Sequence, residues 1–286
     1  MNLDARVLPM RFSADVAAMA DFLAVLGLRR VRESVDGEYV VLDGSAGSVA
    51  VHAAEPDGSG TGLTTLNVLL ADLPDGAAAL ADTGLDATTW DEAYGMQGAV
   101  WLPAIGAVGL NEAHPADLHG YRSLPARLLP KGGLAPRIPG AKPPFGSEDD
   151  GGSAGPSPIR VLAVRYSDNF TADAALFACL GFRPAGSLED PWWCVLEAGS
   201  QAGAIGLHAG RQGGPAPTEA PGGDWLDHPA LVGLGFETAE PLDALAARLR
   251  ANGHGARLEV DEAGPKVVVT DPDGQVLEVH PEVSGP

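Results

Sequence analysis

Arg6-Val7-Leu8-Pro9-Met10-Arg11-Phe12-Ser13 and Arg160-Val161-Leu162-Ala163-Val164-Arg165-Tyr166-Ser167 are nearly the same phrase written twice. Leu26-Gly27-Leu28, which follows the first, returns as Leu180-Gly181-Phe182 after the second. Both repeats are spaced by 154 residues. A fixed internal period marks one structural unit present in tandem. What the copies share reads as scaffold, and what separates them is where function is sought.

Outward from the first phrase, copy one reads as strand Arg6 to Phe12, then a helix capped by Ser13 or Asp15. Val16, Met19, Phe22, Leu23 and Leu26 fall at helical spacing, and Gly27 stops the helix. Strands Tyr39 to Leu42 and Ser48 to His52 flank the turn Gly44 to Gly47. Strand Leu63 to Leu70 leads to a helix near Asp75 to Asp82. Strands Ala99 to Leu102 and Ala107 to Asn111 close the copy. Copy two repeats this order with strand Val161 to Tyr166, helix Ala172 to Leu180, and strands Trp193 to Leu196 and Ala204 to His208. Strand Leu231 to Phe236, helix Leu242 to Ala251, and strands Lys266 to Thr270 and Val276 to His280 follow. The last two strands are joined by Asp271-Pro272-Asp273-Gly274, a turn in which proline presets φ and glycine accepts positive φ. Between the copies, Pro143-Pro144, Gly151-Gly152 and Gly155-Pro156 sustain neither helix nor central strand. The expected division is 1–124, a Pro/Gly-rich linker 125–157, and 158–286. A second stretch of this kind, Gly210 to Gly223, reads as a loop within copy two.

The chain has 286 residues, enough for two cores of ordinary size. Lys and Arg number 18 against 38 Asp and Glu, a net charge of −20, which argues against nucleic acid and suits a cationic ligand. Cys179 and Cys194 lie in apolar runs of copy two and read as small core residues in a reducing compartment. No apolar run approaches the ~20 residues of a membrane span. The N-terminus shows no basic-then-apolar signal region, so a cytoplasmic protein without membrane contact is expected.

The strand–helix–Leu-Gly-Phe opening, Leu234-Gly235-Phe236-Glu237 ahead of an amphipathic helix, and Asp271-Pro272-Asp273-Gly274-Gln275-Val276-Leu277-Glu278 together resemble the vicinal oxygen chelate superfamily. That superfamily contains glyoxalase I, extradiol dioxygenases, and fosfomycin- and bleomycin-resistance proteins. The resemblance covers both copies and implies an α+β fold of four βαβββ modules. These would form two tandem glyoxalase-like domains, each a curved, half-open barrel, arranged as a pseudo-dimer within a monomer or homodimer. It also implies four metal-ligand positions, which fall in copy two on Val161, Gly206, Gly233 and Glu278. In copy one they fall on about Val7, Ala50, Thr65 and Leu110. Aliphatic side chains and glycine offer a metal no lone pair, and one glutamate is too few donors. No cofactor is therefore expected, with one exception. His208, Glu278 and His280 would supply two imidazoles and a carboxylate if they converged.

Glu278 and His280 lie two apart on one strand and share a face. With His208 they are the candidate acid–base residues, against the reading that the histidines are solvated strand ends. Arg11 and Arg165 are the arginines both copies keep. Each is read either as a structural ion pair near the copy–copy contact or as an anchor for a ligand carboxylate or carbonyl. Tyr166, Trp193, Trp225 and Phe236 in copy two, with Tyr39 and Trp101 in copy one, are candidate ligand-binding aromatics or ordinary packing. Beside a regulatory or scaffold domain whose cavity is filled by its own side chains, two uses remain open. One is metal-independent binding of a small aromatic or cationic molecule, as in bleomycin resistance, in which case the chain is not an enzyme. The other is catalysis, as a glyoxalase-like lyase, a dioxygenase, or a metal-free acid–base enzyme using Glu278 and a histidine.

Overall fold

The computed structural model describes residues 3, 5–34, 37–92, 95–112, 157–210 and 227–282. The expected linker (all but its last residue), Trp225 and most of the expected 210–223 loop lie outside these residues.

One order of elements appears four times: a strand, a helix and three strands. In copy one the first strand is β1 (Arg6–Val7) and β2 (Met10–Ser13). Helix α1 (Val16–Leu26) and strands β3 (Arg29–Glu33), β4 (Tyr39–Asp43) and β5 (Ser48–Ala53) follow. The second module is β6 (Thr64–Thr65) with β7 (Asn67–Leu70), then α2 (Leu73–Ala81), β8 (Ala87–Glu92), β9 (Gly95–Leu102) and β10 (Gly106–Glu112). Copy two contains β11 (Ile159–Ser167), α3 (Phe170–Phe177), β12 (Arg183–Pro184), β13 (Trp193–Glu197) and β14 (Ala204–Ala209). It continues with β15 (Gly233–Thr238), α4 (Leu242–Ala251), β16 (Arg257–Asp261), β17 (Gly264–Thr270) and β18 (Val276–Pro281). Asp15 caps α1 by accepting from the Ala18 N–H, and Gly27, at φ 121°, ends it. The α+β fold of four βαβββ modules is the architecture the repeat implies, with open sheets. No helix among the described residues is long and apolar enough to cross a membrane.

Copy two is one eight-stranded sheet, β12-β13-β14-β11-β15-β18-β17-β16. Copy one forms two five-stranded sheets, β3-β4-β5-β2-β6 and β1-β7-β10-β9-β8. Pro9 stands at the division. Its carbonyl accepts from the Ala50 N–H at 3.0 Å, but its ring nitrogen has no proton for a return bond to β5. The parallel β2–β5 ladder therefore begins at Met10↔Ala50, whereas β11–β14 begins earlier, at Leu162↔Ala204.

Each sheet has a helix-covered face and an open face. Val7, Val49, Val51 and Val68 pack with Met19, Phe22 and Leu73 from the helices of copy one. Val161, Ile205, Phe236 and Val279 pack with Phe177, Leu245 and Leu249 in copy two. Cys194 belongs to this core, Cys179 packs against it, and both are free thiols.

The copies dock reciprocally. The Val7 N–H donates to Ala202 O at 2.8 Å, and Val161, its counterpart, donates to Ala46 O at 2.9 Å. Exchange of like bonds is the signature of a two-fold interface, here within one chain. The β17–β18 turn reaches into copy one as well. Asp271 pairs with Arg11 at 3.0 Å, and Asp273 accepts from Ser13 Oγ at 3.1 Å and the Ala14 N–H at 3.2 Å. The corresponding β9–β10 turn, 103–105, is two residues shorter than 271–275 and offers no carboxylate. Arg165 instead donates to Ala104 O at 2.8 Å and pairs with Asp173 at 3.3 Å. Ala104 sits at φ 62°, a left-handed conformation a non-glycine residue rarely holds.

Both arginines thus turn toward the helix-covered side, as structural ion pairs, and not toward the open face. The period of two correctly placed Arg11 with Val7, but it does not say which face the helices cover.

Candidate functional site

The open face of copy two is built from alternate residues of its central strands. Leu162, Val164 and Tyr166 of β11 share it with Gly206 and His208 of β14, Trp193 and Val195 of β13, and Gly233 and Gly235 of β15. Glu278 and His280 of β18 extend it. The three glycines leave the floor bare. The Trp193 indole lies directly on Gly206, so that a Cβ there would fall inside the ring's contact distance. Asp190 sets this tryptophan by accepting the backbone N–H groups of Trp192 (2.8 Å) and Trp193 (3.2 Å). Past the ends of β11 and β14, beside the start of α3, lies a cleft of about 400 Å³ lined by Ser167, Asp168, Phe170, Leu188, Glu189 and Asp190. Nothing in the sequence distinguished 188–190, because a short polar loop acquires meaning only from the strands beside it.

The middle of the same face of copy one is filled, short of the end where Phe12, His52 and Tyr39 pair. Leu8, Val41 and Ala50 form a small apolar cluster with Met10, Val31, Tyr39 and Leu69 against it. Asn67 occupies the space above Gly109 where a Cβ would stand. By strand register Tyr39 is the counterpart of Trp193 and Ala50 that of Gly206, so the larger ring goes with the smaller floor residue.

Three of the metal positions inferred from the sequence shift by one residue, among them Val7, which lies in the helix-side core while Leu8 faces the open side. Val161 is wholly buried on the helix-covered side, and Leu162 is the neighbour that faces the open side. Likewise Leu110 lies in the core, and Gly109 faces the open side. A one-residue slip reverses a strand's faces, but the chemistry is unchanged, since leucine and glycine donate nothing. Glu278 is already engaged. Its Oε1 accepts from Lys266 Nζ at 2.7 Å, its Oε2 lies 3.2 Å from His280 Nε2, and Lys266 also pairs with Asp261 at 2.8 Å. Among the described residues His208 contacts neither of them: its Nδ1 lies 2.8 Å from Ala209 O, and its ring stands beside Tyr166 and Trp193. Among the described residues, no group of three or more His, Cys, Asp or Glu side chains is arranged to hold a metal ion. The donor set does not fit the divalent ion that the superfamily resemblance implies.

Charge on this face is otherwise internally matched. Arg160 pairs with Glu197 and, at 2.9 Å, with Glu237. Burial pushes the Glu237 carboxyl above the usual carboxylate range even though Arg160 pulls it down. A raised carboxyl binds its proton more tightly in the folded chain. Its contribution is fully present below the unfolded pKa and is lost as pH rises through the folded value. In urea titrations at a series of pH values, the stability of the native chain relative to Glu237→Gln should therefore fall as pH rises above the ordinary glutamate pKa of about 4.3. A flat difference would remove this assignment.

Of the other residues singled out from sequence, Tyr166, Trp193 and Tyr39 lie on open faces. Phe236 is 1% exposed within the helix-side core, where a ligand cannot reach it, and Trp101 is only 3% exposed. Arg11 is likewise enclosed, while Arg165 remains partly exposed within its ion pair.

No family model matches the chain, and no curated protein matches it. Solved structures do. The 2,3-dioxygenase LapB from Pseudomonas sp. KL28 superposes with a TM-score of 0.56 at 14% identity, covering 98% of this chain and 92% of that one. The Mn(II)-bound glyoxalase from Novosphingobium aromaticivorans gives 0.52 at 14% identity, covering 98% and 81%. Homoprotocatechuate 2,3-dioxygenase from Arthrobacter globiformis gives 0.53 at 14% identity, covering 97% and 78%. Extradiol dioxygenases and a glyoxalase are the vicinal oxygen chelate proteins that the internal repeat resembles. The fold is theirs, and identity this low carries the fold alone.

Proposed function

We propose that the chain binds a small organic molecule on the open face of copy two without a metal ion, in the manner of a sequestering, antibiotic-resistance-like protein. The observation that carries this reading is Trp193 lying on Gly206. The position where the superfamily places a chelating side chain holds a bare backbone under an indole. A donor side chain introduced there would displace the ring. Tyr166 and the exposed His208 continue the surface, and Asp168, Glu189 and Asp190 make the adjoining cleft acidic. An aromatic or cationic molecule suits both parts. The reciprocal contacts within one chain favour a monomer that acts as its own dimer.

Catalysis by Glu278 with His280 is the second reading, favoured by their 3.2 Å separation. Lys266 weakens it by holding the other carboxylate oxygen. Tryptophan fluorescence titration against a panel of natural products, run with chelator present and followed by product analysis, separates the two. Saturable binding with the ligand recovered unchanged is expected, weakened about 30-fold by Trp193→Ala. Turnover that disappears in Glu278→Gln would replace binding with catalysis.

A further inference from the structure

We propose that copy one holds a second site of the same build, so that one chain takes two planar molecules, each through an imidazole acceptor set in a row of aromatic rings. This rests on the binding role proposed for copy two and extends it to the ligand's chemistry and number.

The row crosses three neighbouring strands. In copy two, Tyr166 and Trp193 are the direct strand partners of His208, and in copy one Phe12 and Tyr39 are those of His52. The geometry repeats closely. The Tyr166 and His208 rings are 5.3 Å apart at 52°, and those of Phe12 and His52 are 5.6 Å apart at 52°. Trp193 and His208 stand 6.1 Å apart at 69°, and Tyr39 and His52 6.1 Å apart at 65°. Both aromatic partners differ between the copies, but the imidazole is kept.

One hydrogen bond is kept as well. His208 Nδ1 lies 2.8 Å from Ala209 O, and His52 Nδ1 lies 2.7 Å from Ala53 O. A carbonyl only accepts, so Nδ1 carries a proton in each ring, and in the singly protonated tautomer this fixes, Nε2 is the acceptor. Among the described residues neither Nε2 makes a hydrogen bond. A histidine kept only for packing has no need of an oriented acceptor at the surface, since phenylalanine would fill the row equally well. An acceptor flanked by ring faces fits a planar ring with an N–H or O–H donor on its edge.

Indole is the probe, with N-methylindole as the control of like shape that lacks the N–H. Imidazole resonances of the isotope-labelled full chain are assigned with His52→Phe and His208→Phe and followed during titration. Indole should shift both imidazoles, with N-methylindole about tenfold weaker at each. His52→Phe should reduce the number of bound molecules from two to one. If indole moves only His208, the second site falls while the copy-two reading stands. If neither imidazole responds, both fall. Equal binding of N-methylindole would overturn the acceptor role.

Discussion

Asp271→Ala is expected to lower the stability of the folded chain by about 3–5 kcal/mol, the cost of stranding a buried charge. The stranded charge is Arg11. Its side chain is 3% exposed, that of Asp271 is wholly buried, and the two meet at 3.0 Å. Burial drives the Arg11 guanidinium below its usual range, and Asp271 and Asp273 oppose that shift. Arg11 also donates to Gly62 O, but a carbonyl cannot replace the lost carboxylate. Asp271 has a second duty, since its Oδ1 accepts the Gln275 N–H at 2.8 Å and closes the turn. Asp271→Asn keeps an acceptor for that turn and isolates the loss of charge. Urea unfolding of both variants and of Arg11→Met/Asp271→Leu makes the test. The double variant should recover most of the loss. A cost below about 1 kcal/mol for Asp271→Ala would mean that the pair is solvated and does not join the copies.

Gly203→Ala should be of similar size. Gly203 sits at φ 69°, and a Cβ there would overlap Val7 Cγ2 and lie 2.8 Å from Val161 O and 2.9 Å from Gly47 Cα. Two penalties combine. A left-handed non-glycine residue costs about 1–2 kcal/mol, and overpacking costs about 1–3 kcal/mol more. The expected loss is therefore about 2–5 kcal/mol. Gly203 belongs to the turn of copy two that faces Gly47 of copy one, so the damage should fall on the docking of the copies. Denaturant unfolding should show it as earlier or biphasic loss of structure. Gly253→Ala controls for backbone strain alone, because Gly253 has φ 85° with no atom near its Cβ position. If both variants cost the same, close approach at the copy–copy contact contributes nothing.

The architecture was legible because its signals are local. Apolar spacing in Val16 to Leu26 marks α1, Gly27 and Gly181 mark ends, and Asp271 to Gly274 marks a hairpin. The edge strands were less legible. β3 is Arg-Arg-Val-Arg-Glu, and β16 is Arg-Leu-Glu-Val-Asp with Leu258 and Val260 exposed. β3 carries charge on both faces, a pattern that resembles loop, and β16 alternates charged with apolar residues but leaves its apolar side in solvent. The site was legible only in part. Alternation correctly paired Glu278 with His280 and related Tyr39 to Trp193. It does not say which face the helices cover, and so it offers Arg11 and Phe236 as ligand contacts and puts Val161 where Leu162 belongs. Lys266, the residue that ties up Glu278, lies twelve positions away in sequence, and only the β17–β18 ladder makes them neighbours. No sequence signal marked the Nδ1 bonds that orient His52 and His208, because their acceptors are backbone carbonyls.

Calorimetric titration of Mn²⁺, Fe²⁺ and Zn²⁺ into the chelator-stripped chain, repeated on Glu278→Gln, tests the central claim most directly. With Trp193 seated on Gly206 and Glu278 held by Lys266, no stoichiometric ion should bind at this face. The native chain and the variant should give the same heats. One tightly held ion per chain, lost in Glu278→Gln, would contradict the account.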